Sequence, residues 1–451
     1  MRSTTRPRLL PIALLAAVAL AAFGSALAVP GFSRQTGQSC SACHTQFPEL
    51  NSFGRQFKLG GYTMTGAQAI EEKTAKGKEV LSLPQIPGIS FMILTSYART
   101  QKDLPSPAGP PAGPTQNHDV LFPDQLSLFL AGGISPKLGA FIQVTYDSQS
   151  GSVGWDNADI RFAGGDGTGP SKMAWGLTLN NSPTVQDLWN STPVWGFPWA
   201  SSGAAPAPTA ATLLEGGLAQ QVAGLGGYFM WNDFLYGEMS LYRSAPQGVE
   251  RPLDATAASV IDGLTPYWRL AVQRERGKHY LSGGTFGIAA KIFPGDGAFL
   301  EGPADRYNDF GLDLQYQFTK KEGGFSAHAT WIREKQDLYA SLALGDAQNR
   351  SNTLVTVKLD GIYRFGQRYA ASLGWFSITG DSDTDLYASR NGSPDTDGLV
   401  AGFDFMPWQN TRLSLQYTAY SRFDGNGENY DGAGRNASDN NTVSVLAWLV
   451  F

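Results

Sequence analysis

The stretch DFGLDLQYQFT, residues 309–319, alternates polar and apolar positions along its whole length. Its apolar positions are Phe310, Leu312, Leu314, Tyr316 and Phe318. A period of two predicts a β-strand with one apolar and one polar face. Residues 353–365 and 412–420 repeat the pattern, and in the first of these Lys358, Asp360 and Arg364 share the polar face. An apolar outside and a polar inside are the inverse of a soluble barrel.

Sixteen such segments follow between residue 88 and the end of the chain, most of them about the 9–11 residues that cross a bilayer when tilted. They are 88–99, 122–133, 138–147, 155–164, 172–181, 217–230, 234–243, 265–275, 281–293, 307–319, 324–335, 352–365, 368–379, 397–406, 411–420 and 440–451. Connections after even-numbered segments are short, as at 366–367, and those after odd-numbered segments are usually long, as at 182–216. This asymmetry is typical of outer-membrane barrels, whose short turns face the periplasm. Residues 84–451 are therefore predicted to form a sixteen-stranded antiparallel outer-membrane β-barrel whose exterior contacts lipid.

Composition narrows the class of protein. The 451 residues carry a net charge of −5, which excludes a basic nucleic-acid binder. A mean hydropathy of −0.20 is too polar for a bundle of membrane helices. Two cysteines and four histidines are too few for a disulfide framework or a multi-ligand metal cluster. An array of soluble β-sandwiches is the alternative fold, but it would not combine outward aromatic residues with inward charges.

Residues 1–28 resemble an export signal. Arg2, Arg6 and Arg8 precede an apolar run over 9–22, and SALA at 25–28 is a small-residue cleavage pattern. A retained N-terminal anchor is the alternative, although the run is shorter than the roughly 20 residues of a spanning helix. Removing three arginines takes the net charge from −5 to −8.

The sequence CSACH at 40–44 has the spacing of a c-type haem attachment site. Cys40 and Cys43 would form thioethers to the haem vinyl groups, and His44 would be the axial ligand of the iron. The alternative is a Cys-x-x-Cys redox pair beside an unrelated histidine. Because the motif follows an export signal and no other cysteine is present, the sequence favours one covalent haem c.

Residues 29–83 are predicted to form a small α-helical cytochrome c domain around this haem. Its one helix would span 47–61, with Pro48 in the first turn and Gly60 and Gly61 at a left-handed end. A segment this short has little core of its own, so the haem would supply much of the buried apolar surface. Met64 is a candidate second axial ligand, although it also suits an ordinary apolar position. His279 and His328 qualify only if the barrel brings them close, His118 lies in a proline-rich loop, and the second axial position could also be open.

Several motifs resemble the outer-membrane cytochrome–porin fusion family of iron-oxidising bacteria over essentially the whole mature chain. The motifs are FSRQT (32–36), CSACH (40–44), FPEL (47–50), FGRQFK (53–58), NNSPTVQDLWNSTP (180–193), WGFP (195–198), NYDG (429–432) and RNASDN (435–440). The resemblance implies a monohaem cytochrome that plugs or abuts a sixteen-stranded porin. It implies an Fe(II) oxidase-type oxidoreductase that takes electrons from extracellular Fe(II) and passes them to a periplasmic c-type cytochrome or another soluble carrier.

Two long connections are rich in carboxylates that suit divalent cations. They contain Asp381, Asp383, Asp385, Asp395, Asp424, Glu428 and Asp431. A solvated surface or a structural Ca²⁺ loop explains them more simply than an Fe(II) site. Other functions also stay open at this stage: a porin with an accessory haem, or a conduit for another extracellular electron donor or acceptor.

Overall fold

The computed structural model describes residues 29–66, 69–77, 79–85, 88–104, 118–165, 172–183, 187–189, 202–244, 260–294, 302–387 and 389–451. The predicted export signal, residues 1–28, lies outside the described residues. The same holds for most of the long connections at 100–121 and 244–264, and for residues 184–186 and 190–201 of the connection at 182–216.

A closed antiparallel barrel of sixteen spanning strands forms most of the structure, as predicted. The strands are β5 (Ile89–Thr100), β6 (Asp119–Ser135), β7 (Leu138–Asp147), β8 (Ser152–Gly164), β9 (Met173–Asn180), β10 (Val222–Trp231), β11 (Leu235–Ser244), β13 (Thr265–Arg276), β14 (His279–Phe293), β15 (Asp305–Thr319), β16 (Gly323–Asp337), β17 (Ser351–Phe365), β18 (Tyr369–Gly380), β19 (Thr396–Trp408), β20 (Thr411–Arg422) and β21 (Thr442–Val450). The short strand β12 (Val260–Ile261) extends the edge of β13 and pairs with β14. Pairing of β21 with β5 closes the barrel, so each of the sixteen spanning strands is paired on both sides.

The alternation in sequence becomes alternation between lipid and lumen. In β15, Leu312 and Leu314 are about half exposed on the outer face, whereas Gln315 and Gln317 are buried inside. Trp175, Leu225, Leu373 and Leu415 repeat the outward pattern around the barrel. An apolar band outside a closed ring of paired strands is the arrangement that a bilayer requires, so the chain is an outer-membrane β-barrel. No helix among the described residues is both long enough and apolar enough to cross a membrane.

The lumen is occupied from both ends. From the long-loop end, the connection between β9 and β10 folds inward, and its short helix Leu213–Glu215 lies against the barrel wall. The backbone amides of Leu213 and Leu214 donate to Glu334 at 2.6 Å and to Asp309 at 2.8 Å. Glu215 forms an ion pair with Lys358, one of the charges predicted to face inward.

Residues 29–66 form a plug inside the short-turn end, called here the plug segment. It contains α1 (Pro30–Thr36), α2 (Cys40–Cys43), β1 (His44–Gln46), β2 (Glu49–Leu50) and α3 (Ser52–Leu59). It bonds to inward-facing groups of several strands, as when Tyr228 donates to the Leu59 carbonyl and Tyr62 donates to Asp159, both at 2.6 Å. Beyond the plug, β3 (Ala69–Lys73) and β4 (Glu79–Pro84) form a hairpin whose described side chains are mostly exposed.

The predicted helix over 47–61 is wrong at its start. Glu49 and Leu50 pair with His44–Gln46 in a two-stranded ladder, so Pro48 lies in the turn between the strands. The helix begins only at Ser52, because Asn51 caps it by accepting a bond from the Gly54 amide at 3.0 Å. Its end agrees better with the prediction, since Gly61 has a left-handed φ of 67°.

The apolar core of the plug segment comes partly from the barrel. Val29, Phe57 and Tyr62 pack in one cluster with Met92 and Phe129. Further members of this cluster on the barrel side are Ala131, Phe141, Trp448 and Val450. Inward apolar side chains of β5, β6, β7 and β21 therefore contribute to the core of the plug segment, beside the share that the sequence analysis expects from a haem.

Candidate functional site: an apolar cavity at the Cys-x-x-Cys-His motif

A cavity that is open on one side lies at the motif, lined mainly by the plug segment and also by Phe141 of β7. Cys40, Cys43 and His44 all line it. Helix α2 is a single turn, and residues three apart in a helix lie on the same side. The three predicted haem residues therefore face one common space.

The ring of His44 is oriented as an iron ligand requires. Its Nδ1 lies 3.2 Å from the Pro48 carbonyl oxygen, and a bond to that acceptor places the proton on Nδ1. The Nε2 lone pair is then available to a metal, and a backbone carbonyl is a common partner of a ligating histidine. Burial lowers the pKa of His44 to about 4, against the opposing bond to Pro48, so the ring is neutral at ordinary pH.

The Cys43 thiol lacks the lowered pKa of a reactive cysteine. Burial, with a contribution from Cys40, raises the pKa of the Cys43 thiol to about 11. Reactive Cys-x-x-Cys thiols instead have pKa values lowered towards or below neutrality.

A glycine fixes the distance between α2 and α3. A Cβ built on Gly54 would lie 2.2 Å from the Cys43 carbonyl oxygen. Only glycine allows this approach, so α3 packs directly beneath the cysteine turn. The Asn51 amide closes the same contact by donating to the Ala42 carbonyl at 2.9 Å.

The walls of the cavity are aromatic. Phe32 lies with its ring centroid 5.0 Å from that of Phe57 and 5.3 Å from that of Tyr62. On another side, the Phe47 ring stacks on Trp448 of β21 at 4.8 Å and lies 5.2 Å from the His44 ring. A flat, apolar macrocycle with covalent and axial attachment fits these walls, and the donor set of two thiols and one neutral imidazole fits haem c.

One part of the cavity is polar. Lys58 and Asp187 line it, and the Lys58 ammonium donates to the Asp187 carbonyl oxygen at 3.1 Å. Burial lowers the pKa of Lys58 to about 8. Asp187 belongs to the long connection after β9, so this connection and the plug segment meet at the cavity. The sequence offered no signal for this contact, since residues 58 and 187 are remote along the chain.

Glu49 attaches the plug to the barrel wall through a group of side chains called here the Glu49 clamp. The carboxylate is fully buried and accepts bonds from Gln315 at 3.0 Å, Gln317 at 2.8 Å and Ser326 at 2.9 Å. His328 places Nε2 3.0 Å from Glu49 and Nδ1 2.7 Å from Asp360. Although burial opposes ionisation, His328 and Arg364 lower the pKa of Glu49 to about 2.

The other candidate ligands lie away from the cavity. Met64 is about half exposed, does not line the cavity, and engages Gln35 through its carbonyl oxygen. His328 belongs to the Glu49 clamp, His279 contacts the Tyr316 hydroxyl at 2.7 Å on the outer face, and His118 contacts the Tyr97 hydroxyl at 2.8 Å. The structure therefore brings together Cys40, Cys43 and His44 but not Met64.

The acidic residues of the long loops bond to other residues of these loops. Asp383 accepts bonds from the backbone amides of Gln348 and Asn349, and these bonds lower its pKa despite burial. Asp395 pairs with Arg422 at 2.7 Å. Among the residues that the structure describes, no group of three or more His, Cys, Asp or Glu side chains is placed to hold a metal ion. The structural interpretation of these carboxylates is therefore favoured.

Comparison with protein-family models and with curated sequences finds no match. Solved structures that resemble the chain include the outer membrane channel DcaP of Acinetobacter baumannii, with 13% identity and a TM-score of 0.46 over 84% of this chain and 99% of that chain. An anion-selective porin from Comamonas acidovorans has 13% identity and a TM-score of 0.44, over 80% of this chain and 98% of that one. A loop-deletion mutant of OmpT, an outer membrane protein of Vibrio cholerae, has 10% identity and a TM-score of 0.46, over 80% and 98%.

Proposed function

We propose that this protein is an outer-membrane electron-transfer protein that carries one haem c on Cys40 and Cys43, with His44 as axial ligand. It oxidises extracellular Fe(II) and passes the electrons to a periplasmic c-type cytochrome or another soluble carrier. The observation that carries the proposal is the apolar cavity in the mouth of the barrel, onto which both thiols and the His44 ring converge.

The geometry supports such a role because the site lies inside the barrel wall. An insulating band of about 25 Å separates the two sides of the membrane. One haem outside the barrel could not exchange electrons with partners on both sides. When bound, the haem supplies a one-electron couple, so each Fe(II) oxidised to Fe(III) releases one electron for a periplasmic acceptor. Oxidation outside the cell also keeps poorly soluble ferric products out of the periplasm.

The residues of the chain position and isolate the redox centre. The Pro48 carbonyl orients the His44 ring, and Gly54 allows α3 to support the cysteine turn. Phe32 and Phe57 keep water from the faces of the cavity. The Glu49 clamp holds the ligand-bearing hairpin at a fixed place on the barrel wall, which keeps the distance for electron transfer constant.

A solute channel with an accessory haem is the second candidate, because a sixteen-stranded barrel has a lumen wide enough for an aqueous pore. In the structure, however, the plug segment and the connection containing Leu213–Glu215 both enter the lumen. Steady conduction would require one of them to move, so conductance of the purified protein separates the two candidates.

The test is an absorption spectrum of the detergent-purified protein before and after addition of Fe(II). The expected result is one covalently bound haem per chain whose reduced bands appear when Fe(II) is added. Cys40→Ala/Cys43→Ala should lose covalent haem, whereas Met64→Ala, which changes a residue outside the cavity, should keep it.

Two outcomes would contradict the proposal in different ways. Colourless protein from a host competent in haem attachment would remove the electron-transfer function altogether. A haem that external Fe(II) does not reduce, although dithionite does, would remove Fe(II) as the donor. Large steady conductance without haem would favour the channel.

A further inference from the structure

Three neighbouring short turns at the plugged end of the barrel carry mostly positive charge. The turn between β13 and β14 contributes Arg274, Arg276 and Lys278, all exposed. Its one carboxylate, Glu275, accepts a bond from the Ser52 hydroxyl of the plug segment. The negative charge of Glu275 is therefore partly directed towards the plug segment rather than towards the neighbouring cations of the turn.

The next two turns continue this basic arc. Lys320 and Lys321 follow β15, with Glu322 as the only acidic neighbour in that turn, and Arg368 lies between β17 and β18. Over the three turns, six cationic side chains therefore face two carboxylates. The protein as a whole is acidic, with a net charge of −5, so the basic arc is a local feature.

The basic arc borders an opening that leads to the candidate haem site. A cavity there is lined by Lys320, Lys321 and Arg364 and also by Cys40 and His44. No Asp or Glu is among the described residues that line it. A second cleft lies between α3 and the barrel, where Arg274 is accompanied by Asp233 and Glu275.

Charges of both signs are exposed at the opposite end of the barrel. Carboxylates such as Asp381 and Asp385 lie there beside cations such as Lys102 and Arg390. A basic inner mouth attracts acidic surfaces and raises the rate of encounter with them.

From this arrangement we propose that the basic arc is the docking site of a soluble periplasmic electron carrier with an acidic face. The proposal rests on the proposed function and names the partner of the same site. The carrier docks over the mouth of the plugged barrel, so that its own redox centre approaches the cavity shared by Cys40 and His44. Long-range attraction sets the orientation, and the few charged contacts leave the complex short-lived, as repeated electron transfer requires.

Part of the basic arc faces the lumen rather than the lipid headgroups. Arg274 and Lys320 lie towards the outer face, since Arg274 pairs across the strands with the outward-facing Leu281 and Lys320 donates to the Tyr363 hydroxyl at 3.2 Å. Lys321 instead lines the cavity that it shares with Cys40 and His44. Lipid phosphates lie around the barrel and not over its lumen, so Lys321 faces the space that a docked protein would fill.

The experiment measures binding of the full mature chain in phosphatidylcholine nanodiscs to a fluorescent plant-type ferredoxin, an acidic redox protein. Mitochondrial cytochrome c, a basic redox protein, is the opposite probe. The variant R274E/K321E/R368E reverses the basic arc. The matched control K102E/K335E/R390E reverses three exposed cations at the long-loop end.

The ferredoxin should bind saturably at low ionic strength, and the arc variant should weaken binding by at least about tenfold, mainly through slower association. The long-loop control should stay within about twofold of the parent, and added salt should abolish the difference. Equal effects of the two triple variants, or preferential binding of cytochrome c, would overturn the proposal.

Two further outcomes separate this proposal from its alternatives. In one outcome, ferredoxin does not bind, and the arc variant differs from the parent only in retaining less of the phosphatidylglycerol added to the discs. The cations then bind lipid, and the docking proposal fails. Haem content is measured on the same samples. Colourless protein that still binds ferredoxin through the arc contradicts the proposed function while leaving the docking surface in place.

Discussion

Removal of the Glu49 carboxylate should release the plug segment while leaving the barrel folded. Glu49→Ala leaves His328, Arg364, Gln315 and Gln317 buried without the acceptor that they share. Breaking a buried charged pair by deleting one partner costs about 3–5 kcal/mol. Since about 1.4 kcal/mol is a factor of ten, the equilibrium between docked and released plug should shift by roughly a hundredfold to several thousandfold.

Trypsin cleavage after Arg55 measures this equilibrium. Arg55 is only 1% exposed, so cleavage requires the plug to leave its place, and the rate follows the released population when opening is fast. Cleavage at this bond, followed by mass spectrometry, should accelerate by the factor above. The gel shift of unheated samples reports whether the barrel is intact.

Two variants control for indirect effects. Glu72→Ala removes an exposed carboxylate of the β3–β4 hairpin and should not change cleavage after Arg55. The double variant Glu49→Ala/His328→Ala should destabilise the docked plug by less than the sum of the two single variants, because the two residues share one interaction. If Glu49→Ala leaves the cleavage rate within twofold of the parent while the barrel is folded, the clamp does not hold the plug and the reasoning is refuted.

Three further predictions follow from single contacts. Gly139→Ala places a Cβ 2.2 Å from the Gly61 carbonyl oxygen, so it should displace the plug and speed the same cleavage, whereas Gly283→Ala, with a nearest contact of 3.5 Å, should not. Phe32→Ala removes an aromatic wall of the cavity and should destabilise plug docking by about 2–3 kcal/mol. This value is lower than the usual cost for a core Phe because Phe32 is only partly buried. An unchanged rate of cleavage after Arg55 would contradict the prediction. Asp383 has a lowered pKa, so its stabilisation of the long loop is present above its ordinary pKa and is lost as pH falls through the lowered value. Asp383→Asn should make that loop more sensitive to acid-active proteases near about pH 5, and the difference from the parent should shrink as pH falls through the lowered pKa. A difference that does not shrink as pH falls would argue against the ionised carboxylate.

The barrel could be predicted from sequence because its signal is local. Lipid outside and polar groups inside force alternation within each strand, so residues such as Leu312 and Gln315 reveal their faces without knowledge of their neighbours. The sixteen predicted segments correspond one to one with the sixteen spanning strands. The inward charges Lys358, Asp360 and Arg364 also lie in the lumen, where each has an ionic partner.

The start of α3 shows where local reasoning fails. Pro48 is a good first-turn residue, and periodicity alone extends the helix to it. The ladder between His44–Gln46 and Glu49–Leu50 competes for the same residues and prevails, because Glu49 is drawn to partners on three barrel strands. A signal of the plug was nevertheless present in β6, where Leu128, Phe129 and Leu130 are apolar on both faces. Such a run indicates a wall covered by lipid outside and by protein inside.

The sequence by itself determined the strand number, the faces of the strands and the grouping of Cys40, Cys43 and His44, since each depends on spacing within a few residues. Only the tertiary structure decided that the plug segment lies in the barrel mouth, that Glu49 attaches it there and that Met64 is not brought to the cavity. These outcomes depend on contacts between residues hundreds of positions apart, such as Glu49 with Gln315 and His328. Closure of the barrel creates those contacts, and no local pattern encodes which side chains it brings together.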